Sequence, residues 1–207
     1  MMKIAVIQAS SQIEKNRLLF QYTRQAAPDS EVLNFGCTSS EAHSYSYLEI
    51  SLLAGLLLNS GAVDFVVTGC SSGQGMMLAC NSIPGVLCGY APTPMDAYLF
   101  AQINNGNAIS VPLGEDYTWQ GEENLQKTLK KLFSEPFGQG WPKSQAERKI
   151  RDSRLVKEIR RKGQKSYLEF MESLDKGLVE KILRKTDVLE YVKKNGVEEE
   201  IRNWITK

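Results

Sequence analysis

Val66-Val67-Thr68-Gly69-Cys70-Ser71-Ser72-Gly73-Gln74-Gly75-Met76 is an apolar, β-branched run that ends in a glycine, a thiol, two hydroxyls and two more glycines. A short apolar segment, Met76 to Cys80, follows. This is the pattern of a buried strand turning sharply into a helix, with the N–H groups of the turn left unblocked by side chains. The amino end of a helix is the positive pole of its peptide dipoles, so such a turn holds negative charge well. Cys70 stands where that field favours a thiolate. The turn is the expected centre of the site.

Working outward, the chain alternates strands and helices. Strands are predicted over Lys3–Gln8, Glu31–Phe35, Asp64–Thr68, Val86–Cys88 and Ala108–Val111. Helices are predicted over Gln12–Ala26, with Ser11 and Glu14 as a capping box, and over Tyr47–Leu58. The second of these is apolar almost all round and therefore deeply buried. Two more fall between Thr93 or Asp96 and Ile103, and over Glu122–Phe133. This alternation predicts an α/β fold: a Rossmann-like, doubly wound, parallel five-stranded sheet. Ligands of such sheets bind beyond the carboxyl ends of the strands. The Ser10 turn, the Cys70 turn and the Asn104-Asn105-Gly106-Asn107 loop are expected at or near that edge. Composition shifts at Gly138-Gln139-Gly140-Trp141-Pro142, which divides an α/β domain at 1–137 from a helical C-terminal extension at 138–207. The extension reads as helices over 145–162, 166–175 and 178–185, and a last one reaching Trp204.

Composition excludes several classes. The longest strongly apolar run, Leu52–Leu58, is far short of the roughly 20 residues of a membrane span. Lys3 leads into the first strand with no export signal, so a cytoplasmic location is expected. Cys37, Cys70, Cys80 and Cys88 have no metal-ligand spacing and His43 is the only histidine, so neither a metal site nor a disulfide framework is expected. Cys37, Cys80 and Cys88 read as buried packing. Net charge is +1, yet no Lys or Arg occurs from Gln25 to Gln126, and residues 143–207 hold 18 of the 25 basic side chains with 12 of the 24 acidic ones. Basic residues interleaved with acids argue against nucleic acid. An anionic substrate must be gripped by backbone amides, by residues near the N-terminus, or by the tail.

The glycine-rich turn fails three tests. Gly73-Gln74-Gly75 continues as Met76-Met77-Leu78, so the dinucleotide fingerprint is absent; no Gly-Lys-Ser/Thr ending makes a P-loop; and Met76 stands where a cysteine phosphatase loop requires arginine. A thiol beside hydroxyls and free amides, with no metal ligands, suits removal of a proton next to a carbonyl while donors hold the enediolate oxygens.

Lys3-Ile4-Ala5, Gly69-Cys70-Ser71-Ser72-Gly73-Gln74-Gly75-Met76, Ala79-Cys80-Asn81, Pro84-Gly85-Val86 and Asn104-Asn105-Gly106-Asn107-Ala108 resemble the type B ribose-5-phosphate isomerase and galactose-6-phosphate isomerase family over residues 2–154. The resemblance implies cofactor-free aldose–ketose isomerisation through a cis-enediol, in active sites shared between subunits of a homodimer or homotetramer. It implies Cys70 as the base, Ser72 as an assisting hydroxyl, and Tyr47 and Asn104 in the pocket. Two departures matter. The family's Asp-His pair after the first strand is Ala9-Ser10 here, and the ring-opening histidine corresponds to Ile103. The phosphate-binding arginines fall in a loosely aligned stretch, where Lys143, Arg148, Arg151 and Arg154 are candidates. Longer members resemble isomerases of 4-deoxy-5-keto-hexuronate, an unsaturated-uronate breakdown product.

The expected protein is thus a sugar isomerase with Cys70 and Ser72 catalytic. Ser10, Tyr47, Ser71, Gly73, Gly75, Asn104, Lys143 and Arg148 bind substrate, and His43 is a possible acid–base group in place of the missing histidine. No cofactor and no metal are expected; the partners are a small sugar and other copies of the chain, without nucleic acid or membrane. A non-catalytic sugar-phosphate binding protein and a thiol-based redox or transfer enzyme are the alternative readings.

Overall fold

The computed structural model describes residues 1–206. Lys207, the last residue of the expected tail, lies outside them. Five parallel strands, β1 (Lys3–Val6), β2 (Glu31–Asn34), β3 (Phe65–Cys70), β4 (Cys88–Tyr90) and β5 (Ala108–Pro112), lie in the order β2-β1-β3-β5-β4. The order reverses between β1 and β3, as a doubly wound sheet requires.

Strand alternation divides the core in two. Ile4, Val6, Phe65 and Val67 face α1 (Asn16–Ala26), α4 (Pro94–Leu99) and α5 (Glu122–Leu132), where they pack with Leu19, Leu125 and Leu129. Ala5, Ile7 and Val66 face α2 (Tyr47–Asn59) and α3 (Gln74–Ser82). The all-round apolarity of α2 has a physical reason: the tail covers its outer side. Tyr167, Met171, Ile182, Val188 and Val192 join the same core as Leu53 and Leu56, and the Tyr167 hydroxyl donates to the Leu52 carbonyl at 3.2 Å. The tail comprises α6 (Ala146–Gly163), α7 (Tyr167–Glu172), α8 (Lys176–Ile182), α9 (Thr186–Asn195) and α10 (Glu199–Trp204). Among the described residues no helix is long and apolar enough to cross a membrane.

Several local expectations are corrected. Ser11 and Glu14 form no capping box; Ser10–Lys15 is a 3-10 segment kinked at Gln12 (φ −128°, ψ 34°), and α1 begins only at Asn16. True capping boxes occur at Ser46–Glu49 and Ser166–Glu169. Strand β4 starts two residues later than expected because the Asn107 side chain captures the Leu87 N–H at 2.7 Å and Asn81 brackets Cys88. Strand β3 runs through Cys70 because Gly69 and Cys70 still pair with Val111 and Pro112. The helix begun at Thr93 tightens into α4 and then widens into a π turn over Phe100–Asn104. The last tail helix is two, α9 and α10, parted at Gly196 where Val197 turns to donate to the Ser60 carbonyl.

Candidate active site

At the carboxyl end of β3 the chain does what its glycines dictate. Gly73 caps α3 in the left-handed region (φ +74°), and a Cβ there would stand 2.8 Å from the Tyr90 ring and 2.9 Å from the Pro112 nitrogen. Only glycine fits both demands. With no capping side chain, the first-turn N–H groups of α3 stay open at its positive pole. The loop is anchored from behind: Ser110 donates to the Gly73 carbonyl at 2.7 Å, Leu113 donates to Cys70 at 3.0 Å, and Gly114 to Ser71 at 2.9 Å.

Around this turn a cavity of about 620 Å³ is lined by Ser10, Gln12, Lys15, Ser71, Leu113–Gly114 and Glu115–Tyr117. Gln12 donates its amide to the Ser71 hydroxyl at 3.0 Å. Tyr47, the first residue of α2 and 41% exposed, lays its ring over the amino end of α3: a methyl group on Gly75 would sit 3.8 Å from it. Ser72 is half-buried in the same turn. Ser10, Tyr47, Ser71, Ser72, Gly73 and Gly75 are therefore grouped at one edge.

Cys70 ends β3 beside them, but its side chain is 7% exposed and packs into the α2 side of the core with Val66, Met76 and Cys80. Two residues earlier on the same face, the Thr68 hydroxyl is fully buried and has no hydrogen-bond partner among the described residues. The other cysteines are buried. Burial pushes the Cys37 thiol up to about 11, against a smaller opposing effect of its hydrogen bond with Ser10, and burial beside Cys80 pushes Cys88 up.

Asn104 corrects the expectation for its loop. It ends the π turn four residues before β5, and β5 begins beside Val66 and ends beside Cys70. In a parallel sheet that is the opposite edge, four strand steps or about 13 Å away. Asn104 is exposed, and Ser153 of α6 donates to its carbonyl at 2.9 Å. Lys143 is exposed just before α6; Arg148 and Arg151 both pair with Asp152 at 3.1 Å, and Arg148 also donates to Gln145 at 2.6 Å. Ile103, half-buried beside Asn104, brings no acid–base group. His43 is exposed and lines a separate hollow of about 580 Å³ with Glu41, Tyr45, Arg184 and Lys185.

Gln12 and Lys15 line this cavity without having been expected there from the sequence. Lys15 lies 2.8 Å from Glu115 and 4.6 Å from the centre of the Trp119 ring, and among the described residues it is the one lysine or arginine lining the cavity beside Ser71. Its ammonium donates to the Glu115 carboxylate, and that bond holds the carboxyl below its ordinary value. The signal was present: Lys15 and Arg17 are among the few cations of the α/β body ahead of Gln25.

The Ribose/Galactose Isomerase family matches residues 4–152. No curated protein matches the chain. Among solved structures, a 4-deoxy-L-threo-5-hexosulose-uronate ketol-isomerase complexed with a tartrate is 37% identical, with a TM-score of 0.92, covering 99% of this chain and 98% of that one. A ribose-5-phosphate isomerase from Vibrio parahaemolyticus is 35% identical, with a TM-score of 0.92 and the same coverage of 99% and 98%. A type B ribose 5-phosphate isomerase from Trypanosoma cruzi, 22% identical with a TM-score of 0.63, covers 76% of this chain and 97% of that one and shares the fold.

Proposed function

Because the chain belongs to the ribose/galactose isomerase family, whose members are sugar isomerases, we propose that it moves a carbonyl between C1 and C2 of an open-chain sugar acid, with 4-deoxy-L-threo-5-hexosulose-uronate as the first substrate to test. The observation that carries this choice is Ile103. An aliphatic side chain at the ring-opening position suits a substrate that arrives as a free carbonyl. The 37% identity to the uronate isomerase supports the same choice. Ribose 5-phosphate is the second reading, supported by the 35% identity to the Vibrio enzyme.

In the proposed reaction the Cys70 sulfur takes the proton from the carbon next to the carbonyl. The electron pair forms the C1–C2 double bond of a cis-enediol as the carbonyl oxygen takes up a proton. The other oxygen then gives up its hydroxyl proton to become the new carbonyl while the sulfur returns its proton to the neighbouring carbon, so that one proton moves between the carbons and one between the oxygens. The uncapped N–H groups of α3, with Ser71 and Ser72, receive the negative charge that develops on oxygen. Ser10 and Tyr47 orient the chain of hydroxyls. Asn104, Lys143 and Arg148 reach this edge from a second copy, which is the reading that the opposite-edge position of β5's entry supports in a homodimer. The reaction as drawn uses no cofactor and suits a cytoplasmic enzyme.

The test is turnover of the uronate and of ribose 5-phosphate by wild type and by Cys70→Ala, together with uptake of solvent hydrogen into substrate. The variant is expected to lose about 10²–10⁴-fold in turnover. Near-native turnover by Cys70→Ala would remove Cys70 as the base; no exchange by the wild-type protein would favour a binding protein.

A further inference from the structure

Residues 41–49 connect the hollow under β2 to the start of α2, and two of them reach the site. The Tyr45 N–H donates to the Ser10 hydroxyl at 2.7 Å while Ser10 N–H donates back to the Tyr45 carbonyl at 2.9 Å. Tyr47 covers Gly75. Each end of this stretch carries one glutamate, and each glutamate is held by a lysine of the tail. Lys185, only 3% exposed, places its ammonium 3.1 Å from Glu41 and 2.9 Å from Asp187. The other Glu41 oxygen accepts the Thr38 N–H at 3.0 Å. Lys181 donates to Glu49 at 2.8 Å, and the second Glu49 oxygen accepts the Ser46 N–H at 2.7 Å and the Ser46 hydroxyl. The matched family region stops at residue 152, so both lysines lie beyond it.

We propose that Lys181 and Lys185 are positioning residues: the tail clamps both ends of the 41–49 stretch and thereby sets Ser10 and Tyr47 for substrate. A buried ammonium is retained only where its partners are fixed, since an unpaired charge in that setting is strongly disfavoured. Lys185 therefore fixes Glu41, and through Glu41 the turn at Thr38. Lys181 acts on the other side through the capping box that starts α2. Cys70 and the α3 amides hang from β3 and do not depend on this clamp. Its loss weakens substrate binding more than chemistry. The proposal rests on the site described above.

The experiment uses Lys181→Met, Lys185→Met and the double variant Glu41→Gln/Lys185→Met in the full chain, with ribose 5-phosphate and the 4-deoxy-5-keto-uronate as substrates. Each single variant is expected to raise KM about tenfold while kcat changes less than about threefold, the signature of lost ground-state contacts. Amide hydrogen exchange should quicken over residues 38–47 and stay unchanged in β3 and α3. Unchanged KM and loop exchange in both single variants overturns the proposal. So does recovery of wild-type KM in the double variant, which would mean that Lys185 only neutralises a buried glutamate. Lys181 is more exposed, so its variant carries the test if Lys185→Met does not fold. If wild type turns over neither compound, the isomerase reading fails while exchange over 38–47 still decides the clamp.

Discussion

Substituting Gly73 by alanine tests whether the open amides of α3 depend on one backbone position. Two costs add. A side chain at φ +74° costs about 1–2 kcal/mol in the left-handed region. The new methyl also meets Pro112 nitrogen and Val111 carbonyl carbon at 2.9 Å, which are backbone atoms of β5 and cannot swing aside. Forcing an atom into such packed surroundings adds about 1–3 kcal/mol. The sum, about 2–5 kcal/mol, is a large share of the 5–15 kcal/mol typical of a folded domain. Gly61→Ala is the matched control. Its φ is +68°, but its methyl would meet the Val197 Cβ at 3.3 Å and the Val197 nitrogen at 3.8 Å, looser contacts than those at Gly73. It should therefore show mainly the left-handed cost, about 1–2 kcal/mol, with a smaller steric part than Gly73→Ala. Urea unfolding followed by far-ultraviolet circular dichroism measures both, compared at equal slope. Gly73→Ala should unfold at clearly lower urea than Gly61→Ala. It should also lose turnover, because β5 can relieve the contact only by shifting the amino end of α3. Equal midpoints for the two variants, or a Gly73→Ala protein within about 0.5 kcal/mol of wild type, would refute the claim that β5 and the turn are in fixed contact.

Three further outcomes are expected. Thr68→Val removes a buried hydroxyl that has no partner among the described residues, so it should stabilise the protein by about 1 kcal/mol in urea unfolding; destabilisation would mean that the hydroxyl is bonded. For Glu49, burial pushes the carboxyl up, but the bonds from Lys181, Ser46 and the backbone outweigh it and hold the group below its ordinary 4.5. A depressed folded-state pKa stabilises above the unfolded value and is lost as pH falls through the folded one, so Glu49→Gln should be less stable than wild type at pH 7 and converge with it toward pH 3; parallel stability curves would contradict this. Finally, inactive Cys70→Ala and Asn104→Ala chains, mixed unfolded and refolded together, should recover about a quarter of wild-type activity, since half of the dimers are hybrids with one intact site of two; no recovery would refute a shared site.

The parts of the fold that sequence made legible are those decided locally. The β3 run and its glycines specify strand, turn and helix within eleven residues, and the structure places them so. The parts misread depend on contacts across the chain. Nothing near Leu87 announces that Asn107, twenty residues on, will take its N–H and delay β4. Ser11-x-x-Glu14 has the letters of a capping box, but Gln12 bends out toward Ser71 and the helix waits for Asn16. The misplacement of Asn104 is of another kind, because strand polarity alone settles it. A loop that precedes a parallel strand lies at the edge opposite a loop that follows one.

The charge pattern binds these observations together. Between Gln25 and Gln126 there is no lysine or arginine, yet Glu41 and Glu49 stand in that span with side chains only 18% and 10% exposed. Carboxylates that far out of water require cations, and the span contains none. Their partners had to come from the first 24 residues or from beyond Gln126, and the structure supplies Lys185 and Lys181 from 144 and 132 positions away along the chain. The same deficit holds for the cavity beside Ser71, whose one lining cation, Lys15, comes from the N-terminal segment. A span of 102 residues with no lysine or arginine around a turn built to hold negative charge leaves the carboxylates of its loop to be held by cations from outside that span. That is why the charges of the tail belong to the reading of the site and not only to its solvation.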